Sequence, residues 1–286
     1  MSVEPYGVLV TNGDNDSFPI WHLQHVERIR EDVTVVVSPY LGTEWYARQV
    51  RNMSRPCPEG VDPGRDHTVI TCQRPFRADR VSERLLAPWG GAPPEPPRDS
   101  VLPLDDAEIA RIAAGYFVAD RPLTLQVRGL DATIAQGTFL TPIDTFVAAI
   151  LQSSFGERPI HFMTPAPPVS KLGLEDYTVR VGLTYRLNDG MSGRTIVALP
   201  ENVGRSSAGA AIDLALTDTL LSDVFIVRGR VADPRLPWVD HANLTIPSQY
   251  SLAHYAAAVG HQLTGNRDAA ERHARRMHFW SRFLDG

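Results

Sequence analysis

Two carboxylates, Asp14 and Asp16, stand one residue apart in "VLVTNGDNDSFPIWHLQ" (8–24), between an apolar run and an aromatic-rich segment. With Asn12 and Asn15 beside them, they offer the oxygen donors that hold a hard divalent cation. A D-x-D pair is also how some nucleotide-sugar glycosyltransferases keep their metal. The same residues have a plainer use. Asn and Asp hydrogen-bond their own backbone in tight turns, and Asp16 or Ser17 suits a helix cap. Residue types leave both uses open.

The elements around them decide what they can meet. "VLVT" (8–11) reads as a buried strand, and "VTVVV" (33–37) as a second. Between them lies a helix with Pro19 in its first turn, and Ile20, Leu23, Val26 and Ile29 recur on one apolar face. Thr43 can cap "EWYARQVRN". Thr141-Pro142-Ile143-Asp144 is a strong helix start, and "RPIHFMT" (158–164) behind that helix is a third strand. Strands joined through helices in this way are expected to be parallel in one sheet.

Ligands of open parallel sheets bind beyond the carboxyl ends of the strands. Loops 12–17, 38–43 and 165–168 are expected there, so Asn12, Asp14, Asn15, Asp16, Tyr40, Glu44 and Trp45 are candidate ligand residues on one edge. Asp14 and Asp16 are the candidate metal ligands. Arg158 precedes the third strand and could meet an anion, or pair with Glu157 or Asp144. Trp21, Trp45 and Tyr46 could stack on sugar rings, although aromatics at helical spacing usually pack in a core. His22 and His25 could share a metal, or be a surface histidine beside a half-buried one. His273 and His278 sit among arginines and read as solvated. The chain has no G-x-S-x-G, P-loop, H-E-x-x-H or G-x-G-x-x-G.

The 286 residues carry a formal charge of −5 and a sequence pI near 6.0, and Lys171 is the only lysine. This is no general basic surface for nucleic acid. No apolar run approaches the ~20 residues that span a bilayer. "MSVEPYG" lacks the charged and apolar regions of a signal peptide, so the chain reads as soluble. Cys57 and Cys72 lack metal-ligand spacing; they could pair in an oxidising compartment or be two unrelated thiols, and the unpaired reading is preferred.

Residues 54–100 are the least legible, with a strand expected at "HTVITC" (67–72) and a Pro-rich loop at about 87–99. Order returns with the D-x-x-E capping pattern of Asp105 and Glu108, followed by strands at 123–127 and 133–140. The fold class expected is α/β over 1–200, a mostly parallel sheet flanked by helices. A helical C-terminal part over 201–286 ends in a tetratricopeptide-like hairpin, with small residues at Ala258, Gly265 and Ala270.

Several stretches together resemble one family: bacterial multi-spanning membrane glycosyltransferases related to an animal protein O-mannosyltransferase. The carriers are "TNGDNDSFPIWH" (11–22), "DVTVVVSPYLGTEWY" (32–46), "RPIHFM" (158–163) and "GLEDYTVRVGLTYRL" (173–187), with "VFIVRG" and "WVD" further on. The chain is similar to the soluble C-terminal region of that family. His22 and His161 stand where the family carries aromatics, and Gly42 replaces an Asn; His161 is a further candidate ligand residue.

The resemblance implies an exocytoplasmic, periplasmic module whose partners are the membrane-embedded half and an acceptor protein or glycan. That half, with its sugar-transfer loop, is missing from this chain. The function expected is therefore a non-catalytic part of a protein O-glycosyltransferase system that recognises acceptor or organises the membrane half. The alternatives are a metal-dependent enzyme working on a phosphorylated or glycosylated substrate through Asp14 and Asp16, and a purely structural domain.

Overall fold

A computed structural model describes residues 2–63, 65, 71–77, 95–163, 167–188, 196–203, 210–227, 233 and 241–284. The chain forms two compact units, residues 3–177 and one made mainly of 178–286.

In the first unit, β1 (Val8–Thr11), β2 (Thr34–Val37) and β7 (Ile160–Phe162) are parallel, with β1 in the middle. Val8 registers with both Thr34 and Ile160. All eleven positions are buried, which is why these strands read as continuous apolar runs rather than alternating ones. Helix α1 (Asp14–His25) joins β1 to β2, and a 3-10 turn over Ser38–Gly42 leads into α2 (Glu44–Ser54). Helix α2 buries Tyr46, Ala47, Val50 and Ser54, one face at helical spacing. Helix α3 (Asp106–Ala113) begins with the Asp105–Glu108 capping box. Helix α4 (Pro142–Ser154) begins at Thr141, whose N–H and hydroxyl both donate to Asp144 Oδ2. Lys171 Nζ donates to the same oxygen at 2.9 Å, at the end of the short helix α5 (Pro167–Lys171).

The structure corrects four expectations here. The strand foreseen over 133–140 is two: β4 (Leu123–Val127) pairs with β5 (Leu130–Ile134), then Gly137 turns the chain with φ +83°. Residues Phe139–Leu140 (β6) pair instead with Phe117–Val118 (β3). Helix α1 starts at Asp14, behind Gly13, so Pro19 lies in its second turn. That helix does not bury Leu23 and Val26, which are exposed; it buries Ser17 and Gln24. Each buried polar group is hydrogen-bonded. Ser17 Oγ donates to Gly13 O and shares a 2.7 Å bond with Thr11 Oγ1, while Gln24 Nε2 donates to the carbonyls of Arg30 and Val33. Finally, Cys57 and Cys72 form a disulfide with Cα atoms 4.9 Å apart, closing a loop of 15 residues.

The second unit holds β8 (Thr178–Val181), β9 (Thr184–Leu187), β10 (Ile196–Ala198) and β11 (Ala211–Asp213). Strand β11 pairs parallel with β8 and antiparallel with β10, and β8–β9 is a hairpin. Of the β1–β2, β1–β7, β8–β11, β10–β11 and β8–β9 pairings, three are parallel. Helix α6 (Leu214–Thr219) runs into a π turn over Leu220–Val224. Helices α7 (Thr245–Leu263) and α8 (Arg267–Ser281) form the C-terminal hairpin across a turn at Gly265. Leu199, Val203, Ile212, Leu214, Ala256 and Ala257 form a buried apolar cluster in this unit. Helix α7 comes close because Gly260 faces Leu214 and Ile212, where a Cβ would crowd Leu214 Cδ1 at 2.9 Å.

The strand foreseen at 67–72 falls mostly outside the described residues. So do most of the Pro-rich loop, residues 165–166 and the "WVD" stretch. The second unit begins at Thr178 and holds the four strands β8 to β11 together with the C-terminal helices.

Candidate functional site

The carboxyl ends of β1 and β2 carry the two loops foreseen there. Asp14 and Asp16 are the first and third residues of α1, so both charges complement the positive end of the helix dipole. Their carboxylates meet different partners. Asp16 Oδ2 accepts the backbone N–H of Asn12 at 3.0 Å, reaching back across the helix start as a capping residue does. Asp14 is exposed, and its Oδ1 accepts the Tyr40 hydroxyl at 3.3 Å from the loop after β2. Lost solvation and then the Asp14 charge raise the Tyr40 pKa, which keeps the phenol a donor. Asn12 is half-buried and Asn15 exposed on the same loop.

Around this pair lies a row of rings. Phe18 stacks on Trp21 at 5.8 Å between centroids; Trp21 meets Tyr40 at 6.5 Å, and Tyr40 meets Trp45 at 6.3 Å. Phe18 is 51% exposed and Trp45 58%. Tyr46 is the core member of the set: it is 1% exposed, and its hydroxyl accepts from Val37 N and donates to Val35 O. Burial raises its pKa strongly. Trp21 also lines a cavity of about 180 Å³ with Gln24, His25, Tyr46, Gln73 and Arg74. Phe18, the first ring of the row, lay beside the acidic block in the sequence, but only its exposure distinguishes it.

Glu44 is engaged along α2, accepting from Arg48 at 2.7 Å. Arg158 and His161 are not brought to this edge. Arg158 lies at the amino end of β7, and parallel strands put that end away from the carboxyl edge. It is 3% exposed and donates to Gln73 Oε1, Ser54 O and Asp99 O at 2.7–2.8 Å, tying three segments together. Its expected acidic partners are taken elsewhere: Glu157 pairs with Arg128 and Asp144 with Lys171. Burial pulls the Arg158 guanidinium down to about 10, against the pull of Asp99. His161 is fully buried mid-strand, with Nε2 2.5 Å from Glu4 Oε2. His22 lies 3.8 Å from Glu27 rather than facing a ligand set with His25. His273, which read as solvated, is 4% exposed.

The class these features define is a mixed α/β protein with parallel strands flanked by helices and C-terminal helices. It has an aromatic and acidic surface at a strand-end edge. Residues 1–62, which build that edge, match the family model TMEM260-associated domain 2. No curated protein and no solved structure matches the chain. Among the described residues, no helix is long and apolar enough to cross a membrane.

Proposed function

We propose that this chain is a non-catalytic module of a membrane protein O-glycosyltransferase, and that its aromatic edge recognises the glycan-bearing acceptor. The observation that carries the reading is the row Phe18–Trp21–Tyr40–Trp45, exposed at both ends and running beside the Asp14 carboxylate. The flat C–H face of a pyranose packs on such rings, and a carboxylate and amides at the rim accept and donate to its hydroxyls. Large exposed rings cost solvation and mark interaction surfaces.

Two further facts support the setting. The family model matching residues 1–62 bears the name of TMEM260, and the resemblance in these stretches is to membrane O-mannosyltransferase relatives. The Cys57–Cys72 disulfide suits an oxidising, exocytoplasmic compartment such as the periplasm. The membrane-embedded half would then be the partner that performs transfer. The metal-enzyme alternative draws less support, because Asp16 Oδ2 already holds the Asn12 N–H and Asp14 is the exposed member of the pair.

Saturation-transfer NMR with an O-mannosylated peptide and its unmodified twin tests the reading. Transfer to the sugar protons, and none to the unmodified peptide, is the expected result. Equal signals from both peptides would replace glycan recognition with peptide recognition, and no signal from either would remove the reading.

A further inference from the structure

The geometry points to a transition-metal site of the Zn²⁺ class in the C-terminal unit, held by Asp218, His261 and His273. These residues come from three helices: Asp218 from α6, two residues before the π turn, His261 from α7 and His273 from α8. One donor atom from each lies within 4.8 Å of the other two. His273 Nε2 is 2.6 Å from Asp218 Oδ1, and His261 Nε2 is 3.6 Å from Asp218 Oδ2. The two imidazoles are nearly parallel, 19° apart with centroids at 5.4 Å, and both present Nε2 to the same carboxylate.

A tetrahedral ion with bonds of about 2.0–2.1 Å needs donors about 3.3 Å apart. The observed spacings bracket that value, so modest side-chain shifts would admit the ion. Two imidazoles with one carboxylate match first-row metals such as zinc, and are the wrong donors for Ca²⁺ or Mg²⁺.

An independent observation separates this cluster from an ordinary polar network. His261 is only 7% exposed, and its Nε2 has no hydrogen-bond partner although it is aimed at Asp218. A hydrogen-bonded network would be expected to satisfy that nitrogen; a metal would do so. His273 also has the outer support typical of a ligand. Its Nδ1 lies 2.9 Å from His254 Nδ1, which fixes the ring and leaves Nε2 for coordination. His254 and His273 also line a groove of about 600 Å³ with Arg272, Arg275, Arg276 and Arg282. An anionic co-ligand could enter there and balance Arg272, whose charge opposes a cation. A π turn beside the carboxylate is a frequent companion of functional sites.

The test uses the tag-free full chain, stripped with chelator and dialysed against Zn²⁺, with bound metal counted by mass spectrometry. Co²⁺ absorption reports the ligand geometry. One Zn²⁺ per chain is expected, with an intense tetrahedral Co²⁺ spectrum that Zn²⁺ displaces. His261→Gln and Asp218→Asn should each weaken binding at least tenfold, while His278→Gln, an exposed control on α8, should not. No bound metal, or binding indifferent to both ligand variants, overturns the site. If a variant fails to fold, an octahedral, water-like Co²⁺ spectrum in the unmodified chain overturns it independently.

Discussion

Asp14 and Asp16 are the same residue type in the same helical turn, yet they meet different partners, and that difference is measurable. Asp16 satisfies the Asn12 N–H, so Asp16→Ala should cost about 0.5–2 kcal/mol, as loss of a capping group does. Asp14 is exposed and bonded only loosely to Tyr40, so Asp14→Asn should change stability by less than about 0.5 kcal/mol. Urea unfolding of both variants checks the contrast. Equal losses would mean that both carboxylates shape the loop. The sequence showed that these residues lie at a strand-to-helix junction but could not say which carboxylate turns inward. Asp16 turns toward the Asn12 N–H, four residues back, while Asp14 meets Tyr40, 26 residues away. Trp45 was harder still: it is the immediate neighbour of Tyr46, and only the packed structure shows that Tyr46 enters the core while Trp45 stays in water.

At the scale of elements, strands and capped helix starts were legible because their causes are local. Apolar runs such as "TVVV" have nowhere to go but a covered sheet. The Asp105–Glu108 and Thr141–Asp144 pairs satisfy helix N–H groups within four residues. The burial pattern of α1 was not legible, because Ser17 and Gln24 are buried through side-chain bonds to nearby carbonyls and a hydroxyl that no periodicity reveals. The disulfide was missed for a similar reason: two cysteines 15 residues apart carry no spacing signal. It closes a loop of that length, so removing it with Cys57→Ser and Cys72→Ser together should cost about 3 kcal/mol. Thermal or denaturant unfolding measures this, and a loss near zero would mean that the segment is held by other contacts. The C-terminal histidines were illegible because Asp218, His261 and His273 meet only once three helices have packed.

For the whole molecule, buried histidines set an acid limit. Burial, aided by the charges of His273 and Arg276 and opposed by Asp218, holds His254 at about 3. The unfolded chain takes up the proton first, near the ordinary histidine value of about 6.5. This contribution to stability is therefore full above that pH, and is lost as pH falls from there toward 3. Metal-free protein should accordingly melt at lower temperature at about pH 5 than at about pH 7.5, and His254→Gln should lessen the difference; an unchanged difference would mean that other groups set the limit. At this scale the account rests on the aromatic edge as the working surface, served by two parallel strands and a buried Arg158 clamp behind them. The most direct test is calorimetric titration of the full chain with an O-mannosylated peptide, comparing the unmodified protein with Trp45→Ala. Trp45 is exposed, so its removal should leave the melting temperature nearly unchanged. The account predicts saturable binding by the unmodified chain and at least a tenfold loss in Trp45→Ala. Equal affinity in the two proteins, or no binding by either, would contradict it.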